Sequence, residues 1–359
     1  MSTTFGVVGT GWRGRYFLRL AQAVPERLRA TGVVTRSAAR AAEISTGSGV
    51  PAFTSIAELL RHERPEYVIM TVPRQVATVA LDELVAAGVP VLTETPPADD
   101  VPGLREVWRK FGGSGLVQVA EQYPRLPAQL ALQAVLTDGV IGKATSVQLS
   151  LTHLHHAAAV IRRLLGVGSE PARIDARQFV APLHDPLTRA GWTPDPIEDR
   201  PATTTLATID FDGRMGLYDF TDNQSRNPLR THRITIRGTR GEIVDDRVVR
   251  LAEARTVVRS TLARERSGLE TVLTGVDLRH ITFDGTVLYR NPFAGTGLAD
   301  EEVAVADLAE AMGAWVRGSG PPPYPLADGC QDHLIGLAIE EAARTGRTVT
   351  TTREPWAIG

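Results

Sequence analysis

The 359-residue sequence has a single cysteine, Cys330, which excludes an intramolecular disulfide framework and fits a reducing compartment. No apolar run approaches the roughly 18 residues of a membrane span. No charge of one sign dominates. The 39 Lys+Arg and 41 Asp+Glu leave a formal charge of -2, too balanced for a whole-protein electrostatic grip on nucleic acid or an anionic membrane. The opening residues, MSTTFGVVGTG, lack the basic segment and cleavage signal of a secretory peptide. A cytoplasmic protein with no nucleic-acid and no membrane partner is expected. Lysine is nearly missing as well: only Lys110 and Lys143 are lysines, so chemistry that needs a lysine proton donor has two candidates.

What is present is a chain of about two domains' length, with 43% hydrophobic residues to bury. Through the first 120 residues, short apolar runs alternate with helical patterns. Phe5–Val8, Thr31–Val34, Glu66–Val72, Pro90–Thr93 and Gly115–Val119 read as strands. Tyr16–Val24, Ala38–Ile44 and Gln75–Ala87 read as helices. Such alternation predicts βαβ units and a mostly parallel sheet, here a Rossmann dinucleotide-binding domain over residues 1–122.

After Tyr123 the grammar changes. A helix from Pro127 to Leu136 leads to a strand over Thr145–Leu151. From Thr203 onward strands follow one another, with Asp212-Gly213 and Asp284-Gly285 as hairpin turns. Helices over Asp300–Arg317 and Leu326–Thr345 close the chain, the last placed to pack back on the first domain. Residues 123–359 are expected to form an α+β domain with an open, mainly antiparallel sheet, so the fold class is α/β with an α+β second domain. Pro182–Pro201, with five prolines, reads as a long loop.

Gly9-Thr10-Gly11-Trp12-Arg13-Gly14 is a G-x-G-x-x-G between a strand and a helix. The first glycine permits a tight turn, the second lets backbone approach a pyrophosphate, and the third allows close helix–sheet packing. At the end of the second strand an NAD site usually carries an acid for the ribose 2′-hydroxyl. Thr35-Arg36-Ser37, with Arg40 a turn later, has no carboxylate there, and a hydroxyl plus guanidinium suits a 2′-phosphate. NADP(H) is therefore the expected cofactor, with NAD(H) the alternative. Val72, Pro73, Glu94 and Thr95, at the carboxyl ends of the third and fourth strands, complete the expected cofactor contacts.

Several stretches together resemble the Gfo/Idh/MocA oxidoreductases. They are the glycine turn, Gly88–Pro96 (GVPVLTETP), Asp138–Gly142 (DGVIG), His156–Gly166 (HAAAVIRRLLG), Ile236–Gly241 (IRGTRG) and Thr345–Val349 (TGRTV). The resemblance implies an NAD(P)-dependent enzyme acting on a sugar, cyclitol or related carbonyl. It also implies an active site between the domains, and a homodimer or homotetramer built on the second domain's sheet. Three departures bear on mechanism. The family's E-K-P lysine is Thr95 here, the aspartate four residues before its histidine is Thr152, and the acid three after is Ala159.

Only the histidine carries over. Thr152-His153-Leu154-His155-His156 offers three imidazoles, and imidazole is the side chain whose ordinary pKa suits acid/base work at neutral pH. His156 is the first candidate and His153 the second, with the Tyr123 phenol a further one. A zinc reading of His153, His155, His156 and His184 lacks H-E-x-x-H spacing or thiolate pairs, so no metal is expected. His155, Gln122, Asp222, Gln224 and Asn227 are the candidate ligands of a small polar substrate. The Asp328, Gln331, Asp332, His333 group is assigned to capping of the last helix. The function expected is reduction or oxidation of a small polar carbonyl, imine or alcohol. The rivals are a redox-neutral lyase, epimerase or glycosidase-type enzyme with a recycled cofactor, and a non-catalytic NADP-binding protein.

Overall fold

In the computed structural model the residues described are 2–188, 191–194, 196–267 and 276–357. The chain divides into two compact units. The first comprises residues 1–127, 266–279 and 291–330, the second 128–265, 280–290 and 331–359. Neither is a continuous stretch of sequence.

The first unit alternates β1 (Thr3–Val8), α1 (Trp12–Ala23), β2 (Leu28–Val34), α2 (Ala38–Ser48), β3 (Ala52–Phe53) and α3 (Ile56–His62). It continues through β4 (Tyr67–Met70), α4 (Arg74–Ala86), β5 (Val91–Thr93), α5 (Val101–Phe111) and β6 (Val117–Val119). Every strand pairing is parallel, in the order β3-β2-β1-β4-β5-β6. The Val8, Val34 and Met70 ends are apolar and buried, as strands covered on both faces must be. This is the expected Rossmann sheet. The short pieces β3, α3 and α5 are additions to the elements expected from periodicity.

The second unit follows with α6 (Pro127–Thr137), β7 (Ala144–Ser150), α7 (Leu154–Leu165), β8 (Arg173–His184), β9 (Leu187–Thr188) and β10 (Gly191–Trp192). Then come β11 (Asp199–Asp210), β12 (Met215–Thr221), β13 (Arg233–Gly238), β14 (Gly241–Val244), β15 (Arg247–Glu253) and β16 (Thr256–Thr261). After β17 (Ala263–Ser267), β18 (Asp277–Phe283) and β19 (Thr286–Arg290) comes α8 (Asp300–Val316), which belongs to the first unit, then α9 (Leu326–Thr345), which starts in the first unit and ends in the second, and β20 (Val349–Thr350) of the second. Nine strands form one open sheet, β16-β15-β14-β13-β7-β12-β11-β8-β20, antiparallel except where β7 meets β12. The two Asp-Gly hairpins form as expected, with Asp212, Gly213, Asp284 and Gly285 all at positive φ.

The long loop expected over Pro182–Pro201 is corrected. Within the described part of it, β8 runs to His184, β9 and β10 pair, and β11 begins at Asp199; Arg189, Ala190 and Asp195 lie outside the described residues. Pro182 and Pro201 face each other across the β8–β11 ladder instead of breaking it. Both closing helices reach the parallel sheet. A Cβ on Gly329, in the first turn of α9, would stand 2.7 Å from Val119 of β6, and α8 packs there too: the Tyr67 hydroxyl donates to the Ala309 carbonyl at 2.8 Å. A Cβ on Gly313 would stand 2.4 Å from the Thr3 side chain. Among the described residues no helix is long and apolar enough to cross a membrane.

Candidate functional site

The chain reverses its direction of strand addition between β1 and β4, and ligands of open α/β sheets bind at the carboxyl ends beside such a switch. The glycine turn leaves β1 at that point. Gly9 has φ of 111°, and a Cβ there would sit 2.7 Å from Thr71 Oγ1 at the end of β4. A Cβ on Gly14 would lie 2.3 Å from the Gly9 carbonyl oxygen, so α1 crosses its own turn at a distance only glycine permits. Around Gly11 nothing lies within 4 Å of the Cβ position. Gly11 is also the N-cap of α1, makes no side-chain cap, and is followed by no acid in the first turn. The positive dipole end of α1 therefore carries no side-chain cap and no acid of its own first turn, beside a backbone position with room for a ligand. That is the cradle a pyrophosphate requires, and these residues fit a dinucleotide.

The side chains beside the turn have distinct roles. Trp12 is exposed and stacks on Tyr16 at 5.6 Å between ring centroids. Arg13 turns inward: its Nε donates to both Glu94 oxygens at 3.0 and 3.1 Å, and its Nη2 donates to Gln122 Oε1 at 3.2 Å. Gln122 in turn donates to Glu301 at 3.2 Å. Burial works to lower the Arg13 pKa, but the Glu94 carboxylate outweighs it, and the guanidinium is held charged above its ordinary value. Gln122, expected as a substrate ligand, and Arg13, expected as a cofactor contact, are thus both members of this network. Thr10 is half-buried in the turn.

At the carboxyl ends of β4 and β5 lies a cleft of about 390 Å³ lined by Val72, Pro73, Arg74, Glu94, Thr95 and Asp99 among others. Four of the expected cofactor contacts thus share one cavity. Arg74, which sequence reasoning missed, pairs with Asp99 at its rim. Its signal was positional, as the residue that follows Pro73 and opens α4. At the end of β2, Thr35 is half-buried and Arg36 exposed. Ser37 caps α2 by accepting from the Arg40 amide at 3.2 Å, and the Arg40 guanidinium pairs with Glu43.

Neither lysine stands in for the missing one. Lys110 lies 3.7 Å from Asp82 and 3.8 Å from Glu106, and Lys143 sits in the turn before β7. Tyr123 is half-buried, and its amide donates to Glu121 Oε1 at 3.0 Å.

In the second unit the three histidines converge where β7 hands over to α7. His153 is the extended N-cap, and Leu154 takes a left-handed φ of 39°. The Leu154 amide donates to the Tyr218 hydroxyl at 3.2 Å. Burial raises that phenol's pKa far above its ordinary range, so it stays protonated. Ring centroids lie 5.0 Å apart for His153–His156, 4.2 Å for His155–His156 and 5.5 Å for His153–His155. His155 is buried and meets His333 of α9 edge-on at 5.4 Å.

His333 therefore belongs to the floor of this cluster and not to a helix cap. Asp332 beside it pairs with Arg162, both buried, and Gln331 accepts from Trp356 Nε1 at 2.9 Å. Only Asp328 of that group lies in the first turn of α9.

Of the other expected substrate ligands, Gln224 and Asn227 are buried and Asp222 is exposed. Gln224 is buried, accepts from the Thr221 amide and donates to Ser150, while Asn227 donates to the His184 carbonyl and accepts from the Leu229 amide. Asp222 accepts from the Thr203 amide at 2.9 Å. Their amides and carboxylate shape the loop after β12, which accounts for the polar run seen in the sequence.

Residues 3–121 match the Gfo/Idh/MocA model, described as an oxidoreductase family with an NAD-binding Rossmann fold. Over these residues the chain is a Gfo/Idh/MocA-family NAD-binding domain. The Gfo/Idh/MocA resemblance read from the glycine turn and the GVPVLTETP segment holds for that domain, and the family is one of oxidoreductases. No curated protein matches this sequence.

Among solved structures, an NAD-binding oxidoreductase from Klebsiella pneumoniae is similar over 98% of this chain and 100% of its own, with a TM-score of 0.70 and 17% identity. Levoglucosan dehydrogenase, in complex with NADH and levoglucosan, is similar over 98% and 99%, at 0.67 and 18%. An oxidoreductase from Agrobacterium radiobacter in complex with NAD+, L-tartaric acid and magnesium covers 97% and 98%, at 0.68 and 15%. At these identities the likeness is one of fold, and it spans both units.

Proposed function

We propose that this protein is an NADP(H)-dependent oxidoreductase acting on a small polar carbonyl, imine or alcohol, with a sugar-like molecule as the substrate class. The observation that carries the dinucleotide part is the open, uncapped Gly11 turn of α1, flanked by two glycines that tolerate no side chain. When bound, the nicotinamide supplies or accepts the hydride. The amides of Gly11 to Gly14 hold the pyrophosphate, and Thr35 and Arg36 address a 2′-phosphate that an acid at this place would repel. Glu94, locked by Arg13, presents a fixed carboxylate to the cleft beside Thr95.

The proton that accompanies the hydride passes through an imidazole, His156 first and His153 second, with the Tyr123 phenol as the further candidate. The sugar-like substrate is supported by the levoglucosan and tartaric acid named with the similar structures. A homodimer or homotetramer and a cytoplasmic setting belong to the same reading. The exposed Phe179 and Leu206 on the open sheet of the second unit support self-association.

A second reading is a redox-neutral enzyme that keeps and recycles its cofactor. It is supported by Thr152 and Ala159, which put a buried hydroxyl and a buried methyl where the resemblance implies the acids of the usual alcohol oxidation.

Calorimetric titration of the protein with NADPH and NADH tests the cofactor assignment. NADPH is expected to bind more tightly, and Arg36→Ala to weaken it by about 10-fold or more, the worth of a charge-assisted hydrogen bond. Equal affinities, or an Arg36→Ala protein that binds NADPH unchanged, would discard NADP(H) preference. Cofactor that copurifies, with no net NADPH change in turnover, would select the redox-neutral reading.

A further inference from the structure

We propose that His153, His155 and His156 form a binding site for one divalent transition-metal ion of the zinc class, open to an oxygen ligand. The spacing H-x-H-H does not suggest this on a regular helix, where His155 and His156 diverge by about 100°. The left-handed Leu154 changes the geometry by swinging the N-cap residue His153 back over the first turn. The result is that one nitrogen from each of the three rings lies within 4.8 Å of the other two. A central ion would then be at most about 2.8 Å from each donor, against roughly 2.0–2.1 Å for a Zn–N bond, so each ring closes by less than about 1 Å. Rotation about the His side-chain torsions covers that distance.

The chemistry of the donor set agrees. Three imidazoles with no thiolate suit zinc, copper, nickel or iron rather than magnesium or calcium. The graded exposure of the rings also fits. His155 is buried and backed by His333, His156 is half-buried, and His153 is exposed. A site anchored below and open above keeps a position for water or for a hydroxyl or carbonyl oxygen, the pattern of three-ligand catalytic zinc. The turn that builds it is fixed from outside the cluster by the Tyr218 hydroxyl, which accepts from the Leu154 amide. A ligating imidazole nitrogen cannot also carry a substrate proton, so in the loaded protein the proton carrier becomes the ion's own water.

The site does not depend on which nucleotide the first unit takes, and the test keeps the two apart. The full-length protein is stripped with chelator, loaded with Co²⁺, and dialysed. Bound metal is counted, the visible ligand-field band is recorded, and NADPH and NADH titrations serve as a separate check of fold. The expected result is one cobalt per chain with a visible band. His153→Ala and His156→Ala should each weaken binding by at least about 10–100-fold while nucleotide binding persists.

His184→Ala, a histidine at the end of β8 paired with Asp199, is the control and should bind cobalt normally. Because His153 is exposed, its substitution leaves the core intact. Failure to retain cobalt overturns the proposal, as does cobalt held equally well by His153→Ala and His156→Ala. Either result leaves the dinucleotide reading untouched, while loss of nucleotide binding with cobalt retained would sink that reading and not this one.

Discussion

At the scale of single residues, the two later glycines of the turn do different work, and the difference is measurable. A methyl group at Gly14 would meet the Gly9 carbonyl at 2.3 Å, so Gly14→Ala must push α1 off its strand and cost about 1–3 kcal/mol of stability. At Gly11 the added carbon meets nothing within 4 Å, so Gly11→Ala should melt at the wild-type temperature and yet bind NADPH or NADH more weakly, because it fills the pyrophosphate's space. Thermal unfolding and calorimetry on both variants check this. Equal loss of stability in the two would remove the distinction.

The three glycines were legible in the sequence because their requirement is steric and local. Gln122, Gln224 and Asn227 were not, because an amide reads the same in a sequence whether it faces a substrate or an internal partner. What decides between those is which backbone groups a loop leaves unsatisfied, and that is a tertiary property.

At the scale of elements, α7 is the scaffold of the histidine cluster. It is buried nearly all round, with Ala157, Ala158, Ala159, Val160, Ile161, Leu164 and Leu165 in the core. Its contact with α9 is close: a Cβ on Gly336 would approach the His155 amide to 3.1 Å. Two turns along α7 from His155, Arg162 makes a buried pair with Asp332, and its Nε donates to the Gly168 carbonyl at 2.9 Å. Asp332→Asn or Arg162→Met alone should cost about 3–5 kcal/mol by stranding a buried charge. The double variant Arg162→Met/Asp332→Leu should recover much of that loss in thermal unfolding. A double variant as unstable as either single one would show that the pair's hydrogen bonds to the backbone, and not its charge, hold the helices.

Element by element, the sequence was most readable where burial is two-sided or alternating, as in β1, β4, β7 and α9. It was least readable where local signals conflict. Pro102 and Gly103 look like breakers, yet they start α5 behind Asp100, whose carboxylate accepts from the Gly103 amide at 2.8 Å. For α3 the signal existed and was passed over: Ser55 and Glu58 form a capping pattern, with the Glu58 amide donating to Ser55 Oγ. β8 is mostly exposed along its length, so no apolar period marks it.

At the scale of the whole molecule, the nine-stranded sheet of the second unit has a face that its own helices do not cover. Leu206 pairs with Asp219 on one side and Arg177 on the other, and Thr204 pairs with Phe179, placing these side chains on one face. Leu206 is 44% exposed and Phe179 51%. If this face joins copies of the chain, Leu206→Glu should shift the assembly towards monomer in sedimentation equilibrium without changing nucleotide affinity. An unchanged mass would place the contact elsewhere. Self-association was suggested by the resemblance rather than by any local pattern, because an uncovered sheet face becomes visible only once strand order is known.

The contribution of α8 to the first unit also fixes when that unit can form. Its parallel sheet is capped through Tyr67 on Ala309 and through Thr3 against Gly313, and Arg27 is paired with Glu310. During synthesis, all six parallel strands and the glycine turn leave the ribosome some 180 residues before α8 exists, as the spacing between Arg125 and Asp307 records. A unit whose sheet is closed by a helix made that much later cannot complete its packing as the amino end emerges. The unit that carries the nucleotide cradle is therefore finished late in translation, after most of the second unit has been made.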